Sequence, residues 1–244
     1  MKPSFAAAIA SGMADILKKL VADILTNGMR LEPLSEANDP ELYRANNALR
    51  RLVEAKSPGD APARVYIYSL PVGESARALI PEAIVRYFEN NAQYQPANWA
   101  QGYEKISIGR WAVEHHAIPT LLTMLGHEYG HDMLNHYLRK GESLPSLECE
   151  ADHYMASLMD YRDFEKFLAS RPFSRFTPVE IPPLPALSAQ DVFDHPYNEE
   201  RIAALKSDAI RSLPTDVRFN ADCSVATPLV PPNFSGQSTV AAGR

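Results

Sequence analysis

Apolar residues recur at helical intervals in several stretches of this chain and give way to alternation in two others. Ile16, Leu17, Leu20, Val21 and Ile24 fall at helical spacing, which predicts an amphipathic helix within residues 1–30, packed on the main domain. Asp39 followed by Pro40 supplies an N-cap and a first-turn proline, so a second helix is expected over 40–55. Residues 64–70, rich in β-branched and aromatic side chains, read as a strand. The stretch 76–90 reads as helix after Pro81, the Asn- and Gln-rich stretch 90–101 as loop, and 105–109 as a short strand. That strand stands shortly before the next helix, close enough to line a cleft beside it or else simply to close a small sheet. The next helix spans 121–131, another is expected over 147–159 with Ser146 as its cap, and a last one over 198–212. Between them residues 172–196 are rich in proline and read as an extended surface crossing. These signals make one domain over 31–212, with a loosely packed tail over 213–244 where periodicity ends.

The helix over 121–131 holds the densest chemistry. Leu121, Leu122, Met124 and Leu125 would bury it, and His127-Glu128-Tyr129-Gly130-His131 follow directly. Residues four apart share a helix face, so His127 and His131 can each offer a ring nitrogen to one metal ion. Glu128 then stands beside the metal, where it can take a proton from a zinc-bound water whose pKa the ion lowers to roughly 7. Gly126 and Gly130 each cost up to about 1 kcal/mol in helix propensity relative to Ala. Close approach of a neighbouring backbone or a substrate would account for both. His115 and His116 lie before Pro119, lack the four-residue spacing, and read as loop or surface residues.

A third protein ligand is expected downstream. Glu148-Cys149-Glu150-Ala151-Asp152 place Glu148 and Asp152 on one helix face, so that one can ligate zinc while the other holds a ligand histidine in its tautomer. Glu150 points elsewhere on the helix. Two histidines and one carboxylate leave a fourth zinc position open for water, the arrangement of a catalytic site.

The remaining features narrow the function by exclusion. A net charge of -6 without a Lys/Arg cluster argues against a nucleic-acid partner. No run of about 18 apolar residues marks a membrane span. The expectation is a soluble, cytoplasmic protein, with a periplasmic or secreted location as the alternative if residues 1–14 act as a signal. Cys149 and Cys223, the two cysteines, form no C-x-x-C pair and no disulfide framework, and carry little information on compartment.

The run His127-Glu128-Tyr129-Gly130-His131, with His136 and then Glu148-Cys149-Glu150-Ala151-Asp152, resembles the HtpX-like gluzincin metallopeptidases. That group includes CAAX prenyl endopeptidases and periplasmic chaperone-proteases. His195-Pro196, with Arg201 six residues after the histidine, is similar to the family's C-terminal motif, and the likeness extends over roughly 37–205. The resemblance implies an α+β, mainly helical zincin-type domain with a small sheet beside the active-site helix. It implies one zinc ion per chain on His127, His131 and Glu148, Glu128 as general base, and Asp152 as the residue behind a ligand histidine. His195 and Arg201 would stabilise an oxyanion, or else His195 opens a helix and Arg201 makes a structural ion pair. His136 is expected to be structural.

The sequence also departs from that family. Many members carry an Asn-Ala-Phe stretch and a Pro-Gly-Gly turn after the first strand, where this chain has Ser75-Ala76-Arg77-Ala78-Leu79-Ile80-Pro81-Glu82. The compact spacing between His131 and Glu148 leaves no room for inserted membrane helices, which argues against a CAAX-processing role. The expected function is a zinc metalloendopeptidase acting on protein or peptide substrates. The alternatives are a noncatalytic metal-binding or chaperone-like module that grips extended chains, and a regulatory peptidase with one dedicated substrate.

Overall fold

A computed structural model describes residues 29–78, 80, 82–95, 104–139, 141–163, 165 and 198–226. The expected N-terminal helix, the proline-rich crossing, His195 and the end of the tail lie outside the described residues.

The fold is α+β, with helices packed on a four-stranded sheet. Helix α1 (Pro40–Lys56) starts where the capping signal places it: the Asp39 side chain accepts a hydrogen bond from the Leu42 N–H at 2.9 Å, and Pro40 occupies the first turn. Its buried residues Leu42, Asn46, Leu49 and Val53 form one stripe, the face a 3.6-residue period directs to a core.

Strands β1 (Arg30–Pro33), β2 (Arg64–Ser69), β3 (Ala92–Gln95) and β4 (Lys105–Gly109) are ordered β1-β2-β4-β3. The inner strands β2 and β4 run parallel, with Val65 opposite Ile106 and Ile67 opposite Ile108. Each outer strand pairs antiparallel to its neighbour. Strand β4 is buried throughout and lies inside the sheet, so of its two expected places it takes the one within a small sheet and offers no edge to a cleft. The edge is β3, which comes from the stretch read as loop. Its polar residues Gln93 and Gln95 carry no strand signal, and pairing with β4 makes it a strand.

Helices α2 (Glu74–Arg77), α3 (Glu82–Glu89) and α4 (Arg110–His115) gather around the fully buried Glu89. Its carboxylate accepts from the Leu70 N–H at 2.8 Å, the Trp111 N–H at 3.1 Å and Arg77 Nη2 at 2.7 Å, which satisfies a charge that burial alone would make costly. His115 stacks on Trp111 at the end of α4, and His116 Nε2 lies 2.8 Å from Asn90 Oδ1. His115 thus ends a helix on the exposed surface, and His116 follows it as the C-cap.

Helix α5 (Ile118–Met133) lies against β3 and β4, with Leu121, Met124, Leu125 and Tyr129 in the core beside Ile106 and Ile108. Helix α6 (Leu144–Ala156) packs across α5. It begins at Leu144, not Leu147, because Pro145 sits in its first turn and Ser143 precedes it. The expected last helix is two, α7 (Asn198–Lys206) and α8 (Asp208–Arg211), divided at Ser207, whose hydroxyl accepts from the Ile210 N–H to cap α8.

The expectation of a loose tail from residue 213 fails as far as Ala226. Phe219 pairs with Val225, and Cys223 is disulfide-bonded to Cys149. Phe219, Cys223 and Cys149 are buried together over the outer face of α6. The cysteines therefore carry structural information that a separation of 74 residues hides from any spacing pattern. Among the described residues no helix is long and apolar enough to cross a membrane.

Candidate metal centre

The site forms where α5 crosses α6. At the crossing, a Cβ on Gly130 would stand 2.9 Å from both Cα and O of Ala151, so only a glycine lets the helix backbones meet this closely. Gly126 faces a softer neighbour, the Met159 Cε atom, at 2.7 Å from the same construction. The close crossing sets His127 and His131, one turn apart on α5, against Glu148 on α6.

Their ligand atoms form a small triangle. His127 Nε2 lies 3.1 Å from His131 Nε2 and 3.2 Å from Glu148 Oε2, and His131 Nε2 lies 3.2 Å from Glu148 Oε1. Tetrahedral coordination at ~2.0–2.1 Å separates its ligand atoms by roughly 3.3 Å, close to these edges. The far side of His127 is fixed: Nδ1 lies 2.8 Å from Asp152 Oδ1, which accepts a hydrogen bond from the Nδ1–H and so leaves Nε2 as the nitrogen for a metal. Three ligand atoms thus converge on one point, and His127, His131 and Glu148 are the group among the described residues that could hold a metal ion.

Charge around the triangle is strongly coupled. Burial opposes a charged imidazole, yet the Glu148 and Asp152 carboxylates raise His127 to about 10, so a proton occupies the ring when no metal stands there. Burial likewise opposes the Glu148 charge, and the two histidines hold its carboxyl well below the usual range. Asp152 is lowered against its burial by Arg201 and His127.

Arg201 approaches Asp152 from α7 with two parallel hydrogen bonds, Nε to Oδ2 at 2.6 Å and Nη2 to Oδ1 at 2.7 Å. This bidentate pair is buried, and Arg201 Nη2 is 3.7 Å from Glu148 Oε2. The guanidinium is thus engaged with the Asp152 carboxylate behind His127 as a buried ion pair. Nothing here places His195, which lies outside the described residues.

Glu128 is buried beside His127, and its Oε2 accepts the backbone N–H of Tyr94 at 2.6 Å. The donor belongs to the edge strand β3, so the sheet margin touches the carboxylate of the residue that follows His127 on α5. Sequence reasoning missed this contact because a main-chain donor leaves no trace in residue identity.

A second set of partners stands behind His131. His136 Nδ1 lies 2.9 Å from His131 Nδ1, and His136 Nε2 lies 3.3 Å from Glu150 Oε2. Burial lowers His136 to about 4. Glu150 does point away from the ligand triangle, toward Arg139, which donates to both of its oxygens, with Nη2 to Oε1 at 3.0 Å. The alternating acidic residues of α6 were the available signal, since Glu148 and Glu150 must address different partners. No protein-family model, curated protein or solved structure matches this chain, so its chemistry is argued from its own residues.

Proposed function

We propose that this chain is a zinc-dependent metalloendopeptidase with a zincin-type domain of the HtpX-like gluzincin kind. The observation that carries the reading is the triangle of His127 Nε2, His131 Nε2 and Glu148 carboxylate oxygens, edges 3.1–3.2 Å, with Glu128 the residue after His127 on the same helix. Two imidazoles and one carboxylate suit zinc and leave a coordination position for the reaction. Zinc held there supplies Lewis acidity, polarising a carbonyl and making a water acidic near neutral pH.

The chain's own groups do the rest. Glu128 accepts the proton of the attacking water and passes it to the departing amine, and the Tyr94 N–H keeps its carboxylate oriented. Asp152, fixed by Arg201, accepts a hydrogen bond from the Nδ1–H of His127 and so keeps Nε2 available as a ligand. An extended polypeptide has an edge strand, β3, beside this constellation on which to pair its backbone. The Cys149–Cys223 bond favours the periplasmic or secreted location over the cytoplasm, where thiols are kept reduced.

The test is Glu128→Gln. Zinc content by elemental analysis and the circular dichroism spectrum should stay at wild-type values, while digestion of an unfolded protein or a quenched peptide slows by ~10²–10⁴. Equal rates in a metal-loaded variant would remove Glu128 as base. A wild type that binds zinc and extended peptides yet cuts none of a broad library would establish the gripping module instead.

A further inference from the structure

His131 has a polar line behind it that is built differently from the one behind His127. Its Nε2 is the atom turned to the ligand triangle, 3.1 Å from His127 Nε2 and 3.2 Å from Glu148 Oε1. For Nε2 to offer a lone pair, the ring proton must sit on Nδ1. That atom lies 2.9 Å from Nδ1 of His136, and two ring nitrogens at such a distance must be one donor and one acceptor. His136 is therefore the acceptor. Its own proton is left on Nε2, a buried atom that makes no hydrogen bond and faces the Glu150 Oε2 charge at 3.3 Å. Glu150, almost fully buried, is held by both terminal nitrogens of Arg139, and Arg218 Nη1 lies 3.5 Å away.

The chain is bent to make this line. Asn135 adopts a left-handed backbone (φ 52°) directly after α5, a conformation Asn tolerates better than most residues. The reversal turns the short helix His136–Leu138 back toward the end of α5, bringing His136 under a histidine only five residues earlier.

We propose that His136 is a positioning residue for the metal site: it accepts a hydrogen bond from the His131 Nδ1–H, keeps its own proton on Nε2 toward the Glu150 carboxylate, and thereby fixes which nitrogen His131 presents. The proposal rests on the metal reading of His127, His131 and Glu148. It goes beyond a packing role, because packing would be indifferent to which ring nitrogen faces His131.

That difference is testable with two amides of similar polarity. In His136→Asn the Oδ1 atom replaces Nδ1 and can still accept from His131, while the link to Glu150 is lost. In His136→Gln the terminal amide replaces Nε2, so the Glu150 contact survives and the acceptor for His131 does not. Zinc affinity is measured on the whole chain by competition with a chromophoric chelator, alongside the visible spectrum of the cobalt-substituted protein and thermal melting without metal. The Gln variant should bind zinc about 10–100-fold more weakly, the range for loss of a partner behind a ligand, with an altered cobalt spectrum. The Asn variant should remain within a few-fold of wild type.

Equal affinities and cobalt spectra in all three proteins, or a greater loss in Asn than in Gln, would overturn the relay. So would equal losses that follow equally lowered melting temperatures, since those mark a packing residue. A wild type that takes up neither zinc nor cobalt would overturn the metal reading itself, and is told apart because no variant is needed to see it.

Discussion

Gly130 and Ala151 meet backbone to backbone, and the two helices that carry the ligand triangle are spaced by that meeting. A methyl group at 130 would come within 2.9 Å of Ala151 Cα and O, atoms that cannot yield without moving α6 and Glu148 with it. Gly130→Ala should therefore lower stability by about 1–3 kcal/mol and weaken metal binding as well. Gly126→Ala meets the end of the Met159 side chain, which can swing away, and the helix recovers up to about 1 kcal/mol of propensity. Denaturant midpoints and zinc titrations of the two variants should separate them clearly. Equal behaviour would mean that the crossing is not set by Gly130.

Zinc binding should discriminate between the two glutamates of α6. Glu148 contributes oxygens 3.2 Å from both ligand imidazoles, whereas Glu150 faces His136 and Arg139. His131→Ala should abolish stoichiometric zinc, and Glu148→Gln should weaken binding more than Glu150→Gln. Elemental analysis after dialysis reads the first, and chelator competition reads the order of the other two. The reverse order would exchange the roles of the glutamates.

Acid should loosen the packing under the disulfide through His153. Burial lowers its pKa; Nε2 lies 3.0 Å from the Pro214 carbonyl, and Nδ1 is buried without a partner. The folded-state value thus lies below the unfolded value of ~6.5, the unfolded chain binds more protons in that window, and stability rises with pH across it. Acidification from about pH 7 toward about pH 5 should lower the urea midpoint for this reason. His153→Gln, which keeps a donor for Pro214 and does not titrate, should show a shallower dependence. Identical pH profiles for the two proteins would clear His153 of the effect.

Opening the Cys149–Cys223 bond should be costly. Closing a loop with a sequence separation of 74 restricts the unfolded chain by about 4 kcal/mol in the chain-entropy estimate. Cys223→Ser, or reduction with a phosphine, should lower the denaturant midpoint accordingly and expose Phe219 to solvent. No change in midpoint on reduction would show that burial of Phe219 and its neighbours alone retains the segment.

The parts of this fold legible in the sequence are those written in local chemistry. Asp39 and Pro40 mark the start of α1, and the four-residue steps from His127 to His131 and from Glu148 to Asp152 mark which side chains can share a face. What stayed hidden depends on distant partners. Strand β3 is polar and exists by pairing with β4. The N–H that reaches Glu128 belongs to a backbone, and His136 acquires its place from the left-handed turn at Asn135. The bidentate grip of Arg201 on Asp152 likewise joins residues 49 positions apart, a pairing that no local spacing announces.

The Cys149–Cys223 bond also determines what a break in the chain would do. It bridges the whole stretch between the ligand helix and the C-terminal segment, and α7 with Arg201 lies inside that stretch. A single cut between residues 165 and 198 would leave all three ligand residues on one fragment and Arg201 on the other, with the fragments covalently joined. Such a nicked protein would run as one species on a nonreducing gel and as two after reduction. While the bond is intact, the buried Arg201–Asp152 pair need not part, so the metal site can outlast the continuity of its own backbone.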